Sequence, residues 1–244
     1  MAVSRTSKEK KRDPKASLAL LWGEQDQPRR GPKPSLTTER IVACAVRLAD
    51  AEGLGAVSMQ RVAADLGVTT MALYRYVPGK AELTDLMVDS ALGLPSEAVA
   101  EADDWRGGLT EWARQCWALY RRHPWILTAT TMRRQLMGPN QLAWLDAALA
   151  ALAPTGLTAA QQHDTFLLVI GHIRNTAQQL VDADQEGGEE WNRLTANVLE
   201  RHGHRYPALT AAIAAGAFAP QDRDPLDFGL ERILDGAAQL IDRP

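Results

Sequence analysis

The feature that most constrains the fold of this chain is the near absence of β-strand patterns along its 244 residues. β-Branched runs are few, no Asn-Gly hairpin signal occurs, and no segment alternates apolar and polar residues. Alanine and leucine instead recur at helical spacing from residue 37 almost to the C-terminus. The sequence therefore predicts an all-α protein, without an apolar run of the roughly 20 residues that cross a bilayer.

Charge is distributed unevenly along the chain, although the net charge is only -3. Residues 1–34 are rich in lysine and arginine, whereas the chain after residue 92 is acidic overall. A basic end on an acidic body indicates a nucleic-acid partner for that end. We expect residues 1–34 to form a flexible basic arm, except for Ala16 to Trp22, which could dock as one or two helical turns. Arg29, Arg30 and Lys33 of the arm are candidates for a minor-groove contact.

We expect no signal peptide at the N-terminus, because the apolar stretch Leu18 to Trp22 is too short to form one. We therefore expect a soluble, cytoplasmic protein that does not engage a membrane. The two cysteines, Cys44 and Cys116, both fall in helical patterns. In a reducing compartment they are expected to be buried free thiols rather than a disulfide.

A short helical pair near the N-terminus carries the main functional signal. Ser58 is a helix N-cap type residue, Gly67 suits a turn, and Thr69 caps a second short helix that runs to about Tyr76. A helix, a Leu-Gly-Val turn and a second helix form the geometry of a helix-turn-helix. Val62, Leu66, Val68 and Leu73 are the expected miniature core.

The exposed face of this pair has the chemistry of a DNA-reading surface. Hydroxyls suit base edges or phosphates, small apolar groups suit a thymine methyl, and arginine suits guanine. The same helix pair also occurs in proteins that do not bind DNA, where tyrosines cover a core, and Arg61 fits a solvated surface residue nearly as well. The candidate DNA-binding residues are Ser58, Gln60, Arg61, Thr69, Thr70, Met71, Tyr74, Arg75, Tyr76 and Lys80.

Several segments together resemble the TetR family of repressors, with a C-terminal half like that of the subgroup containing the tetracycline repressor. The resemblance is carried by the segments Ala49-Asp50-Ala51-Glu52-Gly53-Leu54, Val62-Ala63-Ala64-Asp65-Leu66-Gly67-Val68, Leu73-Tyr74-Arg75-Tyr76-Val77 and, near the C-terminus, Asp227-Phe228-Gly229-Leu230-Glu231-Arg232-Ile233-Leu234. It implies a helix-turn-helix domain over residues 35–80 and a helical ligand-binding and dimerisation domain over residues 81–244.

The resemblance also implies roles for individual residues. Tyr74 and Tyr76 fall where the family grips phosphates, and Lys80 falls where a lysine commonly binds the DNA backbone. Thr69, Thr70 and Met71 occupy base-reading positions. Gln60 stands where the tetracycline repressor has a groove-reading arginine, which implies a different operator. The prediction of a repressor rather than an activator rests only on the usual activity of the family.

The remainder of the chain, from Trp105 to Asp242, is predicted to contain five or six helices. Residues 125–134 are expected to form a connector and residues 183–190 a mobile loop. Two helices, over residues 158–182 and 225–241, have apolar faces broader than one subunit covers, and the family pairs such helices in a dimer. A dimer also suits DNA recognition, since two recognition helices read a pseudo-palindrome. The helix beginning at Pro139 is expected to face inward through Leu142, Leu145, Leu149 and Leu152.

Aromatic and polar residues expected to face inward suggest a cavity for a small organic effector. The candidates are Trp112, Cys116, Tyr120, Trp125, Met132, Trp144, Phe166, His172, Asn175 and Gln178. Each of them alone also fits core packing. Arg134 lies near the position where the tetracycline repressor has its magnesium-binding histidine, and few carboxylates join it. We therefore expect a metal-free effector, and no cofactor.

Two other classes of function compete with a ligand-responsive repressor. The sequence carries no nucleophile elbow, Walker loop, dinucleotide-binding glycine motif or zinc-type cysteine spacing, which argues against an enzyme. A ligand-independent architectural DNA-binding protein stays open from the sequence. His202 and His204 would suit a metal, although loop histidines are usually solvated.

Overall fold

The computed structural model shows an all-α protein, as predicted. It describes residues 14–24, 36–131, 136–183, 188–217 and 223–242, with backbone alone for 182–183 and 188–192. Within these ranges every regular element is helical and no strand occurs. Most of the predicted basic arm, including Arg29, Arg30 and Lys33, lies outside the described residues, as do Met132 and Arg134. The described part of the arm forms a helix that buries Leu20 and Leu21, so residues 14–21 are not a flexible segment and the docked turns expected over Ala16 to Trp22 are present.

The described part of the chain contains twelve α-helices. They are α1 Pro14–Leu21, α2 Thr38–Glu52, α3 Met59–Asp65, α4 Thr70–Tyr74, α5 Lys80–Leu92, α6 Trp105–Arg122, α7 Trp125–Thr131, α8 Pro139–Leu152, α9 Ala159–Ala183, α10 Gly188–His202, α11 Pro207–Ala214 and α12 Pro225–Ile241. The prediction of five or six helices after Trp105 was therefore too low. The predicted connector contains a helix, α7, and α11 begins at a proline that suits the first helical turn.

The chain forms two compact units, which divide between Thr155 and Gly156. The first unit contains α1 to α8 and the second contains α9 to α12. The predicted functional division, residues 35–80 against residues 81–244, stays a prediction. Throughout the described ranges, no helix combines the length and apolar character needed to cross a membrane.

Helix α2 forms because its ends are capped and one face is apolar. The Thr37 side chain accepts a hydrogen bond from the Arg40 backbone N–H at 3.3 Å. Ile41 and Ala45 are completely buried. Gly53 ends the helix at a φ of 81°, a left-handed conformation that favours glycine. Residues next to each end in the sequence therefore set the bounds of α2.

Helix α5 packs against α2, and it buries acidic side chains that the apolar pattern did not predict. The Ser17 hydroxyl of α1 donates to Glu82 Oε1 at 3.0 Å, in a buried position. Asp89 Oδ1 accepts the backbone N–H of Gln141, in the first turn of α8, at 3.0 Å. Burial raises the pKa of Asp89. Polar groups from two neighbouring helices therefore hold α5 in place.

The predicted inward face of α8 was correct at Leu152 and wrong at Leu142. The residues that α8 buries are Trp144, Ala148 and Leu152, one turn apart, whereas Leu142 is 38% exposed. Helices α6 and α8 pack against each other, and the Trp112 and Trp144 rings meet edge to face with centroids 6.1 Å apart. The large indole ring takes the buried face because it fills the space against α6 and has acceptors for its N–H.

In the second unit, α9 packs against α12. Val169 and Ile173 of α9 are completely buried, and Leu230 and Leu234 of α12 are nearly so. Helix α10 already begins at Gly188, so the loop predicted over residues 183–190 is wrong at its C-terminal end. Residues 184–187 lie outside the described ranges. Both cysteines, in the first unit, are buried free thiols, as predicted.

Candidate DNA-binding surface and effector site

The turn between α3 and α4 is built by local hydrogen bonds. The N–H of Val68 bonds the carbonyl of Ala63 at 3.0 Å, and the N–H of Gly67 bonds that of Ala64 at 3.0 Å. This pair of bonds is a Schellman motif, which requires a left-handed residue after the helix. Gly67 supplies it with a φ of 67°. The predicted role of Gly67 is therefore confirmed.

The two short helices share a small apolar core. Val62 and Leu73 are completely buried and Ala63 is nearly so, which brings α3 and α4 close together. Leu66 and Val68, also predicted for this core, are only half-buried. The core is completed by Val57 and Val77, which flank the pair and are completely buried.

Burial of Leu73 fixes which face of α4 meets solvent. Met71 is 74% exposed and Tyr74 is 45% exposed, although both are large and apolar in part. Thr69, Arg75 and Lys80 are exposed as well, whereas Thr70 and Tyr76 are half-buried. Exposed side chains of this size on a short helix are characteristic of an interaction surface.

The hydroxyls that cap α3 and α4 can still donate a hydrogen bond to another molecule. Ser58 accepts the Arg61 N–H at 3.1 Å, and Thr69 accepts the Ala72 N–H at 3.3 Å. A hydroxyl that accepts a hydrogen bond still has its own O–H to donate. Both side chains can therefore cap their helices and donate to a phosphate or base at the same time. Gln60, on α3, is exposed beside them.

Arg61 differs from the other candidates because it is engaged within the protein. Its guanidinium contacts the Glu52 carboxylate at 2.8 and 3.2 Å and Asp65 at 3.3 Å. These hydrogen bonds raise the pKa of Arg61. Arg61 thus links the end of α2 to α3, a role that its position in the sequence did not reveal. The other two cations among the candidate residues, Arg75 and Lys80, are exposed.

The effector candidates of the first unit are mostly buried and hydrogen-bonded. The Trp112 indole N–H donates to the Trp144 carbonyl at 2.8 Å, and that of Trp144 donates to the Gly93 carbonyl at 2.9 Å. The Trp125 N–H donates to Asp50 at 2.7 Å. Cys116 and Tyr120 are buried on α6, and burial raises the pKa of the Cys116 thiol well above its usual range.

Trp117 was missed by the sequence reasoning. It is 5% exposed, and its indole N–H is the buried side-chain polar group that has no hydrogen-bond partner within the described part of the chain. Buried polar groups in folded proteins are nearly always paired. No sequence signal separates Trp117 from the paired tryptophans, since the difference is in whether an acceptor lies within reach.

The effector candidates of the second unit lie in a different setting. His172 and Asn175 line an open cleft of about 430 Å³ between α9 and α12, together with Gln179, Arg223 and Phe228. His172 Nε2 is 2.9 Å from the Leu226 carbonyl oxygen. Asn175 is exposed, so the expectation that it faces inward was wrong.

Phe166 and Gln178 are half-buried. The Phe166 ring lies beside His163, with centroids 6.2 Å apart. Among the described residues, no group of three or more metal-ligating side chains comes together, and His202 and His204 are both exposed.

Comparison with known proteins identifies the family. Residues 41–87 match the model of bacterial regulatory proteins of the tetR family, and residues 98–241 match that of the tetracyclin repressor-like C-terminal domain. The chain belongs to the TetR family. The two family models together span both compact units and match the resemblance seen in the sequence.

Similar proteins support the same assignment. The HTH-type transcriptional repressor DrrR1 of Streptomyces coeruleorubidus is 42% identical over 235 residues, which cover 92% of this chain and 86% of that protein. The crystal structure of apo ActR from Streptomyces coelicolor is 25% identical, with a TM-score of 0.70, covering 87% of this chain and 100% of that one.

ActR has also been solved in complex with actinorhodin, and that structure is 27% identical, with a TM-score of 0.68, over 85% of this chain and 97% of that one. Family and relatives together make this chain a DNA-binding transcriptional regulator, not an enzyme. The helix-turn-helix over α3 and α4 lies within the part of the chain that matches the tetR family model, residues 41–87.

Proposed function

We propose that this chain is a repressor that binds a pseudo-palindromic operator as a homodimer and releases it when a small, metal-free organic effector binds. The observation that carries the DNA-binding part is the face of α4. Leu73 anchors this helix in the core while Met71 and Tyr74 extend into solvent. A rigid helix with exposed reading side chains is the arrangement that enters a major groove.

The candidate residues take different roles on this surface. Thr69, Thr70 and Met71 read bases, and Gln60 reaches the groove from α3. Tyr74, Tyr76 and Lys80 hold phosphates, assisted by Arg75 and by the hydroxyl of Ser58. Lys80 is the first residue of α5, where the positive end of the helix dipole favours a phosphate. Arg61 keeps its carboxylate partners and supports the helices without touching DNA.

The homodimer is supported by the outer faces of α9 and α12. Leu168 is 61% exposed, Leu167 is 49% exposed and Phe228 is 52% exposed. Gly171 has open space where a Cβ would stand, which lets a second helix approach closely. Exposed apolar side chains along two packed helices suit an isologous four-helix interface with a second copy. The cleft beside Phe228 belongs to this face.

We place the effector of this proposal in the first unit, around α6 and α8. Trp112, Cys116, Tyr120 and Trp144 are buried there, and Trp117 adds an N–H without a protein acceptor in the described residues. An effector with an acceptor oxygen would pair that N–H. ActR, a relative in the same family, has been solved with the organic molecule actinorhodin. An organic effector is consistent with these surroundings.

Release requires two states with different affinities for the effector. We propose that effector binding moves the helix that begins at Lys80, so that the two recognition helices of the dimer leave the spacing of one duplex turn, about 34 Å. Shifting the population from 99:1 to 1:99 needs an effector preference of about 5.5 kcal/mol.

The test measures binding to DNA flanking the gene of this protein, by fluorescence anisotropy over a series of salt concentrations. We expect Tyr74→Ala to weaken binding about tenfold on every sequence, because a phosphate contact is lost. Lys80→Ala should reduce the slope of log affinity against log salt by about 0.9. Arg114→Ala, which removes an exposed arginine from α6, is the control and should leave the slope unchanged.

Base-reading residues are separated from phosphate contacts by sequence preference. Met71→Ala should change the binding free-energy difference between the preferred base and the others at one operator position by about 1–3 kcal/mol. Met137→Ala, at another exposed methionine, should not change it. Full operator affinity in Tyr74→Ala would show that α4 does not face DNA. DNA binding that no organic molecule weakens would favour the architectural alternative.

A further inference from the structure

A single carboxylate of the helix-turn-helix domain accepts hydrogen bonds from two residues far along the chain. Asp50, in the last turns of α2, accepts on Oδ1 from His123 Nδ1 at 2.6 Å and from Trp125 Nε1 at 2.7 Å. Because a carboxylate only accepts, His123 carries a proton on Nδ1. Asp50 therefore bonds α2 directly to the corner between α6 and α7.

The corner that supplies these donors is fixed by its own backbone. Pro124 prevents α6 from continuing, because the residue before a proline is disfavoured in the helical conformation. The His123 N–H donates a hydrogen bond to the Leu119 carbonyl at 2.8 Å, at the end of α6. The His123 carbonyl accepts the Ile126 N–H of α7 at 3.0 Å. The His123 and Trp125 rings meet edge to face, with centroids 6.1 Å apart.

Both donors of this contact are buried and therefore depend on Asp50 as their acceptor. His123 is 7% exposed and Trp125 is 4% exposed, so their N–H groups have little access to water. Donors buried without an acceptor destabilise the fold, and bonds to a charged acceptor are stronger than neutral ones. Trp125 was predicted to contact an effector, but its N–H is already bonded to Asp50 of the DNA-binding domain.

The contact lies where it controls the position of the recognition helix. Helix α3 packs against α2, and α4 follows after the Gly67 turn, so movement of α2 carries both DNA-reading helices. The chain connects them to α6 through α5. The 3₁₀ turn Leu54–Ala56, just after α2, packs against α7 beside the Asp50 bonds. Asp50 supplies the hydrogen-bonded part of this second connection.

We propose that Asp50 is a positioning residue for operator binding, which acts through His123 and Trp125 to hold the helix-turn-helix at a fixed orientation on the α6–α7 corner. This inference rests on the proposed dimeric operator binding, since orientation within each subunit then sets the distance between two recognition helices. Asp50 does not contact DNA in this role. It determines which half-site spacing the dimer accepts.

The test uses the full chain and four variants. Asp50→Ala removes the acceptor and His123→Leu removes one donor, whereas His123→Asn keeps an N–H near the position of Nδ1. Glu39→Gln, at an exposed acidic residue on the same helix, is the matched control. Footprinting of the DNA flanking its gene defines the two half-sites. Duplexes with the natural spacing, with one base pair inserted, and with one half-site alone then serve as probes.

We expect Asp50→Ala and His123→Leu to bind the natural operator about tenfold more weakly, with single half-site affinity within about twofold of wild type. Their preference for the natural spacing over the lengthened one should shrink by the same factor. His123→Asn should recover most of the spacing preference, and Glu39→Gln should match wild type. Thermal unfolding confirms that each variant is folded at the assay temperature.

Three results would overturn the assignment. If Asp50→Ala lost affinity equally for the half-site and the full operator, Asp50 would support the helix-turn-helix itself and not its placement. If the variants kept the full wild-type spacing preference, the contact would be structural only. A wild-type protein that bound the half-site as tightly as the operator would contradict dimeric binding first, and this inference with it.

Discussion

The helix-turn-helix (α3 and α4) and the helices from α6 onward differ in how far their polar groups are hydrogen-bonded and their apolar side chains are buried. Over α3 and α4, both helix starts are capped by local hydroxyls, the turn closes its own backbone bonds, and Leu73 is fully buried. Beyond residue 105, α9 exposes Leu168 and α6 buries the Trp117 N–H without a partner among the described residues.

This difference indicates how each region performs its function. A locally complete helix pair is rigid and presents a preformed surface, which DNA recognition requires. A region with exposed apolar side chains and an orphaned donor is completed by other molecules, which are a second subunit and an effector in our proposal. Changes to the first region should therefore act on stability and DNA binding, and changes to the second on assembly and response.

The largest expected effect tests whether α9 needs a partner. Leu168→Asp should convert the dimer to a monomer and lower operator affinity by about 100-fold, because a charge would be buried in an apolar interface. Sedimentation velocity and anisotropy measure the two effects. Leu94→Asp, at another exposed leucine, should change neither. A Leu168→Asp protein that stayed dimeric would remove the basis for an α9 interface.

A smaller effect tests whether the Gly67 turn is locally required. Gly67→Ala should destabilise the protein by about 1–2 kcal/mol, because a side chain at a φ of 67° is strained even with open space around it. Gly55→Ala is a matched control, since its Cβ also meets open space and its φ is not left-handed. Urea unfolding compares the two, and equal stabilities would contradict the turn geometry.

The smallest effect compares a paired with an unpaired tryptophan. Trp144→Phe should lose about 1 kcal/mol of stability beyond any packing change, because its N–H bond to Gly93 is lost. Trp117→Phe should lose less, or gain slightly, since the N–H it removes has no partner in the described residues. Thermal unfolding without effector measures both. Equal losses would mean that Trp117 has an acceptor within the protein.

The helix-turn-helix could be predicted from the sequence almost in full. Ser58, Thr69 and Gly67 act through bonds to residues at most five positions away, so the local sequence contains all the partners. The exposed face of α4 follows from one buried leucine and the helical period. The start of α2 at Thr38 and its end at Gly53 were predictable for the same reason.

Tertiary structure alone decided the features that depend on distant partners. Asp50 had the pattern of a solvated helix residue, and only its approach to His123, 73 positions away, gives it a role. The buried face of α8 contains Trp144 as well as Leu152 and leaves Leu142 exposed, and the acceptor of the Trp144 N–H is the carbonyl of Gly93 in another segment. A sequence records which groups need partners within a turn or two, whereas partners across the fold exist only after the helices have packed.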